Sequence, residues 1–242
     1  MKAIILTAGI GSRIRPLTDN KPKSLLEVNG KPILQNMLEN IVAVGITEVI
    51  VITGYLEEMI KDYIRTNFPD LNVVYIRNKK YLDTNTGYSL NMTKDAVNGD
   101  SFIKFDADVI FEKAILENLV NDEHETALCI DRNINLEAEE VKAITTPDGK
   151  VLEVGKKLDP HKATGESIGI EKIGKEAGKV LFEELTRLME DEANYKEYYD
   201  DSYTTLVNKG VPFYAVDITG LKWVEIDTHA DYALAEEVFA TK

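Results

Sequence analysis

The chain has 242 residues, 44% apolar and 29% charged, with a formal net charge of −14. So acidic a chain is repelled by phosphodiester backbones, which excludes general nucleic-acid binding. No apolar run approaches the roughly 18 residues that span a bilayer. A single cysteine, Cys129, excludes an intrachain disulfide framework and an all-cysteine metal site, so a cytoplasmic protein with no membrane partner is the expectation.

Lys2–Leu6 reads as a short buried strand, too short for a signal-peptide apolar region and running directly into a glycine turn. Glu48–Thr53, Asn72–Ile76, Ser101–Phe105 and Thr126–Asp131 repeat that pattern of Ile and Val runs bounded by turn residues. Between them Pro32–Val44 and Glu57–Asn67 carry apolar residues at helical spacing, with Pro32 suited to a first turn and Gly45 to the position past the last. Strand–helix alternation with short links predicts a largely parallel sheet, because parallel neighbours need crossover helices. Beyond residue 130 the pattern changes: Val141–Thr146 and Lys150–Lys156 flank Pro147-Asp148-Gly149, a turn sequence that predicts a hairpin. Helices over Lys175–Glu192 and Asp201–Asn208, strands over Pro212–Val216 and Trp223–Ile226, and a helix over Ala230–Phe239 complete the expectation. No internal repeat or flexible linker divides the chain, so residues 1–242 read as one α/β domain.

Charge is uneven. The first 31 residues carry Lys2, Arg13, Arg15, Lys21, Lys23 and Lys31 against only Asp19 and Glu27. A basic island on an acidic protein fits a local anion site, or a scatter of surface lysines. Within it, Leu6-Thr7-Ala8-Gly9-Ile10-Gly11-Ser12-Arg13-Ile14-Arg15 follows the first strand. Small residues there let backbone N–H groups approach phosphate oxygens, although an ordinary tight turn has the same composition. A dinucleotide fingerprint needs glycine where Ile14 stands, and a Walker A loop needs Gly-Lys-Ser/Thr where Gly11-Ser12-Arg13 stands. Both patterns fail, leaving a glycine loop with Arg13 built in and Lys23 close behind, a pair suited to a triphosphate whose leaving group is pyrophosphate.

Asp106-Ala107-Asp108 ends another apolar strand, where open α/β sheets place ligands. Paired carboxylates there fit Mg²⁺, which takes one or two of them plus phosphate oxygens, though Asp-x-Asp also occurs in turns. Asp227 ends a further apolar strand and is placed to meet Asp108 across the sheet edge. The acidic stretch from Glu190 to Asp201 surrounds Tyr195, Tyr198, Tyr199 and Tyr203. It reads as a solvated face, or as a pocket in which Asp200 or Asp201 with a tyrosine ring such as Tyr203 receives an ammonium group. His124 and His161 read as surface residues, His229 as a residue near a helix cap, and Cys129 as a small core residue.

Together these pieces resemble the nucleotidyltransferases that make nucleoside-diphosphate sugars and CDP-linked head groups. The likeness is most specific in Ile5–Thr18 with Lys21-Pro22-Lys23, then in Asp106-Ala107-Asp108 and Glu225-Ile226-Asp227. Asn78–Leu90, with its Tyr-Ser-Leu ending, and Gly165-Glu166-Ser167-Ile168-Gly169 are similar to the branch that uses CTP with phosphocholine or 2-aminoethylphosphonate. The resemblance implies a Rossmann-like three-layer α/β/α fold with a mixed, mostly parallel sheet. Residues 1–130 would bind nucleotide and 131–242 acceptor. It also implies roles: Leu6, Ala8, Gly9, Gly11 and Ser12 around the triphosphate, Arg13 and Lys23 as catalytic cations, and Thr84, Asn85 and Thr86 at the base. Asp106 would support Asp108 and Asp227 as Mg²⁺ ligands, and Lys156 and Glu166 would contact the acceptor. The implied reaction is transfer of CMP from CTP to an amine-bearing phosphonate or phosphomonoester, with a homodimer expected by family likeness alone. A sugar-1-phosphate or inositol-phosphate acceptor, and a non-catalytic nucleotide-binding module, are the competing readings; a nicotinamide oxidoreductase is disfavoured by Ile14 and the embedded arginine.

Overall fold

Side chains alternate across a β-strand, and here both faces are apolar. In the computed structural model, which describes residues 1–133, 136 and 140–240, Ala3 and Ile5 of β1 (Lys2–Leu6) face one layer of helices, and Ile4 faces the other. The chain then forms a small hairpin, β2 (Glu27–Val28) and β3 (Lys31–Pro32), followed by α1 (Ile33–Ala43), β4 (Glu48–Thr53), α2 (Glu57–Asn67) and β5 (Asn72–Arg77). Next come α3 (Thr86–Asn91), α4 (Lys94–Val97), β6 (Phe102–Asp106), β7 (Val109–Phe111), α5 (Lys113–Asn121) and β8 (Ala127–Asp131). The second half adds β9 (Lys142–Thr145), β10 (Val151–Gly155), β11 (Gly165–Ile173), α6 (Lys175–Leu188), α7 (Asp200–Asn208), β12 (Tyr214–Asp217), β13 (Trp223–Glu225) and α8 (His229–Val238).

β1 lies between β4 and β6, and β5 lies outside β4, all in parallel. β11 then enters antiparallel beside β6 and carries the sheet on to β9, β10 and β8, with β12 parallel to β8. The sheet therefore runs unbroken past residue 130. Leu34, Met37, Leu38 and Ile41 of α1 pack with Ile60 and Ile64 of α2 and Ile115, Leu116 and Leu119 of α5 on one face. Helices α3, α4, α6 and α7 cover the other. Each such side chain contributes roughly 1.5–3 kcal/mol on burial. The result is the expected mixed, mostly parallel sheet between two helical layers. Among the described residues no helix is long and apolar enough to cross a membrane.

Several elements differ from expectation. Helix α3 takes up the end of the Asn78–Leu90 segment and runs on to Asn91, started by Asn85, whose side chain accepts from the Thr86 N–H. The helix expected to reach Glu192 stops at Leu188. A run of Glu190-Asp191-Glu192 would put negative charge at the negative end of the helix dipole. Instead Asp191 starts a separate 3₁₀ turn, Glu192–Lys196. Strand β13 lies within the expected Trp223–Ile226, but strand β11, strand β7 and the antiparallel pairing of β7 with β13 were not visible in the apolar pattern.

Candidate active site

Three backbone features bring the site residues to one edge of the sheet. The register Leu6↔Asp106 ends β1 and β6 together, so the glycine loop and the Asp106-Ala107-Asp108 turn emerge side by side. The β7–β13 ribbon pairs Glu225 with Val109, and the Ile226 N–H donates to the Asp108 carbonyl at 3.0 Å. Asp227 is thereby laid beside Asp108. A third apolar cluster, Ile14, Leu26, Val28, Ile33, Ile110, Val224, Ile226 and Ala235, ties the basic loop to the ribbon and α8. Ile14, which disqualifies the dinucleotide fingerprint, is fully buried in it and anchors the turn that carries Arg13.

The glycine loop has a steric logic. Gly11 has φ +62°, and a Cβ there would lie 3.0 Å from Thr18 Cγ2 and 3.2 Å from Lys23 Cβ. Its carbonyl accepts from the Thr18 hydroxyl at 2.7 Å. At Gly9 a Cβ would meet no protein atom, so only the cavity lies over that backbone.

The cavity is about 390 Å³, the size of a small-ligand site. Its walls include Leu6, Gly9, Gly11, Ser12, Arg13, Lys23, Asn85, Thr86, Asp106, Asp108, Lys156, Asp200 and Asp227. At its basic end the Lys23 ammonium lies 2.7 Å from Asp108 Oδ2 and 2.7 Å from Asp227 Oδ1, and Arg13 Nη2 donates to Asp227 Oδ2 at 2.6 Å. Burial disfavours the Lys23 charge, but the two carboxylates outweigh it and hold its pKa well above the ordinary lysine value. Asp108 is pushed up by burial and pulled down further by Lys23, so its pKa falls below the usual aspartate value. Glu225 completes a trio with Asp108 and Asp227 whose ligand atoms lie within 4.8 Å of one another. Burial, then the like charges of Asp108 and Asp227, hold its carboxyl well above the usual range. The α8 capping box (Thr228 with Asp231) also binds the Asp227 N–H through Asp231 Oδ2 at 3.1 Å, which fixes the Asp227 backbone.

At the opposite end Tyr198, Tyr199 and Asp200 form the wall, with Lys156 Nζ 4.8 Å from the Tyr198 ring centroid. Asp200 is 4% exposed, and its Oδ1 has no hydrogen-bond partner. Burial and the Asp106 charge push its carboxyl up to about 7 despite Lys104. Thr86 Oγ1 is also buried and unpartnered on the intervening wall.

Five expected residues lie off the cavity walls. Ala8 packs underneath, its carbonyl accepting from the Tyr55 N–H at 3.1 Å. Thr84 Oγ1 accepts from Asn78 Nδ2 and donates to the Lys80 carbonyl, so it braces the loop that presents Asn85. Glu166 is buried on β11 opposite Lys142, with burial and the charges of Glu140 and Asp131 pushing its carboxyl up to about 8. Asp201 lies against Gly155 and is not among the cavity-wall residues. Tyr203 is fully buried between the rings of Tyr199 and Phe213, at 5.6 and 5.2 Å, about one turn along the same face of α7 from Asp200 and within the core. Conversely, Tyr81 and Glu225 are cavity residues to which the sequence assigned no role, and of the tyrosines in the acidic stretch it is Tyr198 and Tyr199, not Tyr203, that line the cavity. Glu225-Ile226-Asp227 repeats the two-residue spacing of Asp106-Ala107-Asp108, a signal that was available for Glu225.

This arrangement can hold a polyanion and a divalent cation at one end and a cationic group at the other, a division found in enzymes that activate one phosphate ester with another. The nucleotidyl transferase family profile matches residues 2–140. The CTP:phosphoglutamine cytidylyltransferase of Campylobacter jejuni subsp. jejuni is 30% identical over 251 residues, covering 96% of this chain and 97% of that protein. A choline-phosphate cytidylyltransferase of Streptococcus pneumoniae is 41% identical over 118 residues, 49% of each chain. The solved structure of a CTP:phosphocholine cytidylyltransferase from Streptococcus pneumoniae superposes with a TM-score of 0.84 at 28% identity over 98% of both chains. The chain belongs to the nucleotidyl transferase family.

Proposed function

We propose that the chain transfers CMP from CTP to a small acceptor with a phosphate or phosphonate oxygen at one end and an amine at the other, releasing pyrophosphate, with Mg²⁺ as its metal. The observation that carries this reading is the knot in which Lys23 and Arg13 grip Asp108 and Asp227. Cations and carboxylates that neutralise one another here are the set a nucleoside triphosphate and a divalent cation would share out.

The metal fits the donors: Asp108 Oδ1 is buried without a partner, and Glu225 and Asp227 add hard oxygens beside it. Held by Asp108, Glu225 and Asp227, a Mg²⁺ would supply charge neutralisation and Lewis-acid polarisation to the phosphates. The Gly9–Ser12 backbone cradles the triphosphate, Arg13 and Lys23 turn from the carboxylates to its β- and γ-oxygens, and Asn85 and Thr86 read the base edge. Thr84 serves that loop as a brace. Lys156 takes the acceptor's phosphate, and the unpartnered Asp200 oxygen with the Tyr198 ring takes its ammonium. An acceptor oxygen already anionic near neutral pH needs no strong general base, so rate rests on positioning and charge stabilisation. Residues 1–130 thus hold nucleotide and 131–242 hold acceptor, with Glu225 and Asp227 as the second half's contribution to the metal. The relatives support this choice: both named acceptors are phosphorylated and nitrogen-bearing.

Pyrophosphate release tests the proposal, with CTP and Mg²⁺ and a panel of 2-aminoethylphosphonate, phosphocholine, phosphoethanolamine, phosphoglutamine, inositol-1-phosphate and glucose-1-phosphate. Turnover with an amine-bearing acceptor, lost in Asp108→Ala, is expected. Turnover confined to the sugar or inositol phosphates would overturn the acceptor assignment, and silence with every nucleotide would overturn the reaction.

A further inference from the structure

Strand β6 carries a lysine where an apolar side chain belongs. Lys104 is fully buried, and its ammonium lies 2.8 Å from Glu171 Oε2 on β11 and 3.0 Å from Asp106 Oδ2. It also donates to the Gly169 carbonyl at 3.1 Å and contacts the Tyr199 hydroxyl, with its nitrogen 3.7 Å from that ring's centroid. The Tyr199 hydroxyl in turn donates to the same Asp106 oxygen, Oδ2. Room for that oxygen is made by a β-bulge: β11 shifts register between Ser167 and Glu171, and within the bulge Gly169 has φ +74°. A Cβ on Gly169 would fall 2.5 Å from Asp106 Oδ2.

A buried ion pair alone is weak support for stability, and apolar replacements of both partners are often tolerated. This one is distinguished by where its donors converge. Lysine, tyrosine and bulge all act on one oxygen of a cavity carboxylate, while Tyr199 and the adjacent Asp200 form the acceptor-side wall. We infer that Lys104 is a positioning residue: backed by Glu171, it locks Asp106 and Tyr199 to each other, so that the nucleotide side and the acceptor side of the cavity hold one fixed geometry. The inference rests on the proposed function for its kinetic consequence only.

The test pairs kinetics with crystallography on Lys104→Met/Glu171→Leu, which removes both buried charges together, and on Tyr199→Phe, which removes one hydroxyl. Both variants keep a melting temperature near the parent's. Loss of a fixed geometry lowers kcat by about 100-fold in the double variant and about 10-fold in Tyr199→Phe, with KM for CTP within about threefold. In their crystal structures Asp106 Oδ2 moves by about 1 Å or more, or takes two positions. A double variant that turns over within about threefold of the parent, or that keeps Asp106 in place, overturns the inference. Should the double variant fail to fold, Tyr199→Phe decides by the same two readouts. A parent silent with every acceptor would refute the proposed function, and the position of Asp106 would still decide this point.

Discussion

Asp227→Asn separates charge that holds the fold together from charge that serves the reaction. Asp227 is gripped by Lys23 at 2.7 Å and Arg13 at 2.6 Å, and it faces the carboxylates of Asp108 and Glu225, with candidate ligand atoms within 4.8 Å. With charge centres near 4 Å and an effective dielectric near 20, each attraction is worth about 4 kcal/mol, and at about 5 Å each repulsion costs about 3 kcal/mol. Glu225, held towards its neutral form, repels little, so the Asp108 repulsion offsets only the Lys23 attraction in large part, and the Arg13 pair, half exposed, is screened to about 1 kcal/mol or less. Stability should therefore change by no more than about 2 kcal/mol, even though two ion pairs are broken. Catalysis has no such cancellation: with the metal held by this trio as proposed, losing one carboxylate should remove several kcal/mol of charge stabilisation, a fall in kcat on the order of 10²–10³. Thermal unfolding and pyrophosphate release, both measured over a Mg²⁺ titration, check the pair of outcomes. A variant that unfolds readily yet keeps parental turnover would refute the reasoning, because Asp227 would then be a structural anchor.

Three further outcomes follow from other parts of the site and core. Gly11→Ala forces a Cβ to within 3.2 Å of Lys23 in a left-handed backbone, so it should cost about 1–2 kcal/mol of stability and raise the KM for CTP; unchanged CTP kinetics would count against the cradle. Asp200, held up at about 7, is neutral below that pH and charged above it, so the acceptor KM should rise as pH falls from 8 to 6. Asp200→Asn should flatten that profile while Asp201→Asn leaves it intact, and a flat profile in the parent would remove Asp200 from acceptor binding. Glu184 is held down at about 2, first by its hydrogen bond with Arg187 and then, against burial, by Lys209. A carboxyl depressed by folding stabilises above its ordinary value near 4.5 and loses that contribution as pH falls towards 2. Because both partners are largely exposed, the loss should be about 1–2 kcal/mol, read from urea midpoints at pH 5 and 3 in the parent and Glu184→Gln; equal acid sensitivity in the two would refute it.

The parallel core was legible because its strands are apolar on both faces. Lys2–Leu6, Glu48–Thr53 and Glu57–Asn67 match the observed β1, β4 and α2 end to end. Strand β11 was not legible, because Glu166, Glu171 and Lys172 break its apolar run while being buried in the fold. Their charge is answered by residues distant in sequence, such as Lys104 for Glu171, and local pattern cannot register that. In the site, glycine spacing and paired acids marked the loop and Asp108. The short ribbon that delivers Glu225, and the packing that leaves Asp200 on the cavity wall with Tyr203 a turn further on in the core, depend on tertiary contacts. One signal was overlooked: a lysine inside Phe102-Ile103-Lys104-Phe105 is anomalous for a central strand.

The central claim is that the α-phosphate of CTP ends on an acceptor. The most direct measurement is to follow CTP labelled at the α-phosphorus, with Mg²⁺ and an amine-bearing phosphonate or phosphomonoester, and to identify the labelled product. Label is expected in a CMP–acceptor phosphoanhydride, formed one for one with pyrophosphate and absent in Asp108→Ala. Label that remains in CTP, or that appears only as free CMP with every acceptor, would contradict that claim.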